Sequence, residues 1–168
     1  MTVPEAPEGT ASIQMHLNLS QKMKLKNILK IKTKSNTMKL EEIKHPELKN
    51  HINMIYMHGE NENQKAIENT EAEIKEYIKD KYFIISVEDE KPVKIPYAND
   101  GEYLVPIFTD EAEYINGMQY FSLNVMDENK EYIIEKLDYF KKLKEDPNFL
   151  GYIVNIARVS YIINTTLL

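Results

Sequence analysis

The chain has 168 residues, a formal net charge of −6, and neither cysteine nor tryptophan. That length suits one domain with one hydrophobic core, and the missing thiols exclude a disulfide framework, thiolate metal sites and cysteine nucleophiles. No apolar run approaches the roughly 18 residues that a membrane span needs, so a soluble, cytoplasmic protein without a transmembrane segment is expected.

Residues 1–37 carry Lys22, Lys24, Lys26, Lys30, Lys32 and Lys34 against Glu5 and Glu8, a balance of +4. Between Lys22 and Lys32 the lysines mostly alternate with apolar residues, and the uninterrupted apolar stretch of a secretory signal is missing. A flexible, poorly ordered N-terminal arm is expected over residues 1–37. The alternative is contact of its basic and apolar edges with an anionic membrane surface or RNA. Removing the arm should leave the domain at residues 38–168 folded. That domain holds 15 basic and 25 acidic residues, a balance of −10, which repels phosphates and argues against nucleic acid as its partner.

Pro46 suits the first position of a helix, Leu48, Ile52, Ile55 and Tyr56 recur at helical spacing, and Gly59 can end it. A second helix is expected from about Asn63 to Lys79, with Ala66, Ile67, Thr70, Ile74, Tyr77 and Ile78 as its apolar stripe. Tyr82–Val87 reads as a central strand, and Glu88-Asp89-Glu90 as a solvated turn. Val93, Ile95 and Tyr97 alternate before Asn99-Asp100-Gly101, and Tyr103, Val105 and Ile107 alternate after it, predicting a hairpin. Pro96 and Pro106 lack an N–H and must occupy non-bonded or edge positions. Thr109-Asp110-Glu111 can cap a helix over Asp110–Asn116 that Gly117 would stop, with Met118–Asn124 as the following strand. Asp127 is then expected to cap a helix bearing Ile133, Ile134, Leu137, Phe140 and Leu143, ended by Asp146-Pro147-Asn148. Tyr152–Asn155 and Val159–Ile163 form the last strand pair. The order predicts an α+β fold: a single mixed or antiparallel sheet, with helices covering one face.

Little in this pattern carries chemistry. His45, His51 and His58 are spaced by six and seven residues, unlike helical zinc ligands, and read as surface or helix-end histidines. The five glycines are scattered, so neither a phosphate loop nor a dinucleotide fingerprint exists. Ser86, Ser122 and Ser160 fall inside predicted strands and outside any Gly-x-Ser-x-Gly elbow. No cofactor, metal or catalytic residue is expected. Arg158, the single arginine, follows Asn155 at a predicted turn, where a guanidinium could clasp an anion in bidentate fashion.

From about Leu48 to the C-terminus the element order, with Phe108 and Thr109 ending one strand and Gly151 and Asn155 bracketing another, resembles the SseB-type N-terminal domain, of the enhanced serine sensitivity proteins. Ile156 stands where that family tends to carry proline. The resemblance implies an α+β fold and a non-catalytic interaction or regulatory module that binds a protein partner through a sheet edge or the strand–helix junctions. The competing expectation is a small-ligand or anion-binding protein, or an enzyme, whose site lies near Thr109, Asn155 and Arg158.

Overall fold

The computed structural model describes residues 38–123 and 131–168. The expected arm at residues 1–37 and the cap at Asp127 lie outside the described residues.

Helix α1 spans Pro46–Glu60 and α2 spans Gln64–Ile78. Asn63 caps α2 by accepting from the Ala66 N–H at 3.1 Å, as its short carbonyl side chain allows. Strand β1 follows at Tyr82–Glu88, then the two-residue strands β2 (Lys91–Pro92) and β3 (Ile95–Pro96), then β4 at Tyr103–Phe108. Helix α3 covers Glu111–Leu123, and β5 (Glu131–Lys136), β6 (Phe149–Val154) and β7 (Tyr161–Asn164) complete the described elements.

The strands form one mixed sheet, within the α+β class expected from the sequence. β1 lies between β5 and β4, β4 pairs with β6 in parallel, and β7 pairs antiparallel with β6. The hairpin expected at Asn99–Gly101 turns where predicted but pairs only Ile95–Pro96 with Tyr103–Leu104, and the turn expected at 88–90 closes a second hairpin. Asp89 and Glu90 both adopt positive φ, 49° and 64°, giving the two-residue β1–β2 turn the primed geometry that matches strand twist. Gly101, at φ 84°, turns the chain between β3 and β4. Pro106 lies inside central β4, and its missing N–H is tolerated because Tyr103–Leu104 pair with β3 and Ile107–Phe108 with β1, leaving 105–106 between the two ladders.

Three expectations fail. Residues 118–123 are helical, because α3 continues through Gly117. Gly117 permits close packing instead of stopping the helix: a Cβ there would stand 2.2 Å from Phe108 Cε1. Residues 131–136 form strand β5, which pairs with β1 along its whole length, and Leu143 belongs to a 3-10 turn. Finally, helices cover both faces. Leu48 and Ile52 of α1 with Ile74 and Ile78 of α2 pack against Phe83, Ile85, Val105 and Ile107. Phe121 of α3 packs with Ile84, Phe108, Ile134 and Ile43 on the other face. Ile133 and Ile134 are therefore buried on opposite faces of β5, and a strand covered on both sides reads as a continuous apolar run that helical spacing also fits.

Candidate functional site

Because β4 and β6 run parallel, their carboxyl ends lie side by side, and β4 leads through Thr109 and Asp110 into α3. Asn155, directly after β6, adopts φ 52°, a left-handed conformation that asparagine tolerates better than most residues. Its own N–H donates to the Ile107 carbonyl at 3.0 Å. Its Oδ1 accepts from the Thr109 N–H at 3.1 Å, and its Nδ2 donates to Thr109 Oγ1 at 2.9 Å. The Thr109 hydroxyl also lies 3.1 Å from Asp110 Oδ2, to which it can donate.

Two of the three residues singled out in the sequence are thus brought together. Thr109 is 0% and Asn155 3% exposed, and the Asn155 amide is engaged by Thr109 through both its oxygen and its nitrogen. Arg158 joins them through its backbone, its N–H donating to the Asn155 carbonyl at 3.1 Å to close the turn, while its side chain is exposed. Capping falls to Asp110 in place of Thr109: Asp110 Oδ1 accepts from the Glu113 N–H at 3.0 Å, at the first turn of α3.

Beside this junction lies an open groove of about 630 Å³. It forms because residues 43–45 run against 109–110: Lys44 and Asp110 make an isolated antiparallel bridge, and the His45 N–H donates to the Thr109 carbonyl at 3.0 Å. The first turns of α1 and α3 both contribute to the walls, which include Ile43, Pro46, Lys49, Asn53, Asp110 and Ala112. Two helix amino termini, each with a partial positive charge, therefore border one groove.

Two of its ionisable side chains, Lys49 and Asp110, link the walls together with Glu113 beside them. Lys49 Nζ lies 3.3 Å from Asp110 Oδ2 and 3.2 Å from Glu113 Oε1, tying α1 to α3. Burial pushes the Asp110 carboxyl up, but the Glu113 N–H, the Lys49 charge and the Thr109 hydroxyl outweigh it and hold Asp110 below its ordinary value. Partial burial lowers Lys49, and Glu113 and Asp110 reverse that effect and raise it. Glu113 is only 5% exposed, and its Oε2 has no hydrogen-bond partner among the described residues.

His45, 6% exposed, precedes α1 and is stacked on Phe83 with ring centroids 4.4 Å apart. Its Nε2 lies 2.7 Å from the Tyr82 carbonyl, which can only accept, so Nε2 carries the proton. Its Nδ1, 2.9 Å from the Tyr77 hydroxyl, is then an acceptor. Burial lowers the ring below its ordinary value with help from Lys81, against the opposing effects of the Tyr82 carbonyl and Asp110.

Sequence reasoning left out His45 as a buried residue, together with Lys49 and Glu113. His45 was placed correctly at a helix end, but burial depends on the strand start that covers it. Lys49 has no local mark that separates it from the other lysines. Asp110 was visible within the capping triplet.

No protein-family model matches the chain, and no curated protein and no solved structure matches it either. Among the described residues no helix is long and apolar enough to cross a membrane.

Proposed function

We propose that this chain is a non-catalytic interaction module of the SseB N-terminal type, acting in the cytoplasm, which docks a segment of a protein partner in the groove where α1 and α3 begin. The observation that carries this reading is the engagement of Lys49, Asp110 and His45, the part-buried ionisable groups at the meeting of α1 and α3. Lys49 is held by Asp110 and Glu113, and both ring nitrogens of His45 are hydrogen-bonded. Groups that join walls in this way shape a binding surface, whereas acid–base chemistry requires a titratable group presented to the reacting atoms. The location supports the same reading, since crevices at the carboxyl ends of parallel strands are where open sheets receive their ligands. The family resemblance adds weight because two residues that carry it, Thr109 and Asn155, are hydrogen-bonded to each other at this junction.

The competing reading puts an anion or small ligand at Thr109, Asn155 and Arg158. It would require the buried Thr109–Asn155 pair to open, and only Arg158 presents an exposed side chain. Affinity capture from native cell extract separates the two. Asn53 is exposed on the groove wall, and Asn53→Trp should fill the groove and reduce recovery of the partner at least ~10-fold, about 1.4 kcal/mol. Arg158→Ala should recover it as wild type does and stay within about 0.5 kcal/mol of wild-type stability. Loss of the partner with Arg158→Ala and its retention with Asn53→Trp would move the site to the turn. Substrate turnover by the purified protein, abolished by a single polar substitution, would overturn the non-catalytic reading.

A further inference from the structure

The way His45 is held points to regulation of the groove, an inference that rests on the docking reading only for its effect on a partner. His45 is bonded to three separate parts of the fold. Its N–H reaches Thr109 at the β4–α3 junction, Nδ1 meets Tyr77 of α2, and Nε2–H donates to Tyr82 at the start of β1. Its carbonyl accepts from the Lys49 N–H at 3.2 Å, so the same residue also opens the hydrogen-bond ladder of α1. We propose that His45 is a proton-operated latch: a second proton, taken up at Nδ1, reverses the Tyr77 hydrogen bond, leaves a buried positive charge at the amino terminus of α1 and loosens its first turn, so that the groove loses its shape and its hold on a partner in mild acid.

The chemistry follows from the tautomer. With Nε2–H committed to a carbonyl, only Nδ1 can take a proton, and its new N–H must then donate to the Tyr77 oxygen, so that hydroxyl has to turn its own hydrogen away. The hydroxyl stays neutral, because burial and then Glu47 raise Tyr77 above its ordinary value, so it gives the imidazolium no counter-charge. The resulting imidazolium would lie against Phe83 in a buried site. The charged groups around it offer little compensation. Lys81, between α2 and β1, opposes the charge, and Lys44 is its neighbour in sequence. Asp110, from the β4–α3 junction, favours the charge but is already engaged by Lys49 and the Glu113 N–H. Within α1, Glu47 acts on Tyr77, and His51 packs against the Tyr77 ring at 6.4 Å while facing Glu73.

The sign is fixed by the lowered value of the ring. The unfolded or unlatched chain takes up a proton near the ordinary value of 6.5, whereas the latched state resists it. The latch therefore contributes fully above about pH 6.5, and its contribution falls as the pH drops below that, levelling off once the folded-state value has been passed.

The test uses the full chain without a partner: the His45 ring is titrated by NMR while hydrogen exchange, corrected for intrinsic rate, is followed at the Lys49 amide and at Val105 in β4. Protection at Lys49 should fall by about tenfold between pH 7 and pH 5, beginning near pH 6.5 and levelling off as the ring of the folded protein titrates, while Val105 retains its protection. His45→Gln, whose Nε2 can still donate to the Tyr82 carbonyl but which takes up no proton, should hold Lys49 protection constant over that range. Ring protonation without any earlier loss of Lys49 protection, or protection that goes on falling after the ring has titrated, overturns the latch in the wild-type protein alone, whether or not the glutamine variant folds. A latch that titrates as described in a protein whose partner capture survives Asn53→Trp refutes the docking reading and leaves the latch standing. Flat protection in a protein that does lose its partner with Asn53→Trp refutes the latch only.

Discussion

Replacing Asn155 tests the junction from which the groove is built. Truncation to alanine removes the acceptor of the Thr109 N–H, a donor in a fully buried residue, and an orphaned buried donor costs about 1–3 kcal/mol. The Thr109 hydroxyl loses Asn155 but keeps Asp110 Oδ2 within reach, so it adds little. Alanine must also hold φ 52°, for about 1–2 kcal/mol more. Asn155→Ala should therefore destabilise by about 2–5 kcal/mol, whereas Asn155→Gly, which suffers only the hydrogen-bond loss, should cost about 1–3 kcal/mol. Urea unfolding followed by circular dichroism reads both values, with tyrosine emission as a second probe in a chain that lacks tryptophan. An alanine variant within about 0.5 kcal/mol of wild type would refute the claim that Asn155 holds the β4–α3 junction. A glycine variant as unstable as the alanine one would refute the conformational part of the argument.

Three further outcomes are expected. Gly117→Ala gains about 1 kcal/mol of helix propensity but forces a methyl to 2.2 Å from the buried Phe108 ring, and overpacking of about 1–3 kcal/mol should leave it less stable in thermal melts; a raised melting temperature would contradict the close-packing account. Asp110 is held below its ordinary value of 3.8, so the stability it adds is present above that pH and lost as pH falls through the lower folded value. The gap between wild type and Asp110→Asn should accordingly narrow in denaturant melts from about pH 5 to about pH 2, and a constant gap would exclude the carboxylate as its source. Deleting residues 1–37 should change unfolding free energy by less than about 2 kcal/mol, since a solvated arm contributes almost nothing; a larger loss would mean that it packs into the core.

Local signals were legible where they have local causes. Pro46, Asn63 and Gly101 each impose a backbone or capping preference, and the elements around them fall where those preferences put them. The same reasoning failed at Gly117, because a helix interrupted by glycine and a helix in close contact with Phe108 look alike until the strand beneath is known. It failed again at Ile133 and Ile134. Their neighbours Leu137, Phe140 and Leu143 extend a helical spacing, and only the pairing with β1 and the presence of α3 on the second face explain why both isoleucines are buried in a strand. For the candidate site, the junction was found but not the groove. Thr109 and Asn155 mark the strand ends, whereas the wall at His45 and Lys49 comes from a segment more than sixty residues away, joined by a single bridge and two ion pairs that leave no pattern in the sequence.

The central claim is that a protein segment docks between the starts of α1 and α3, and site-specific photo-crosslinking reports on it most directly. A photoreactive side chain is placed at Asn53 in one preparation of the full chain and at Arg158 in another, and each is irradiated in native cell extract. The account predicts one discrete adduct from position 53, displaced by excess wild-type protein but not by Asn53→Trp, and none from position 158. A competable adduct from position 158 with none from position 53 would contradict it.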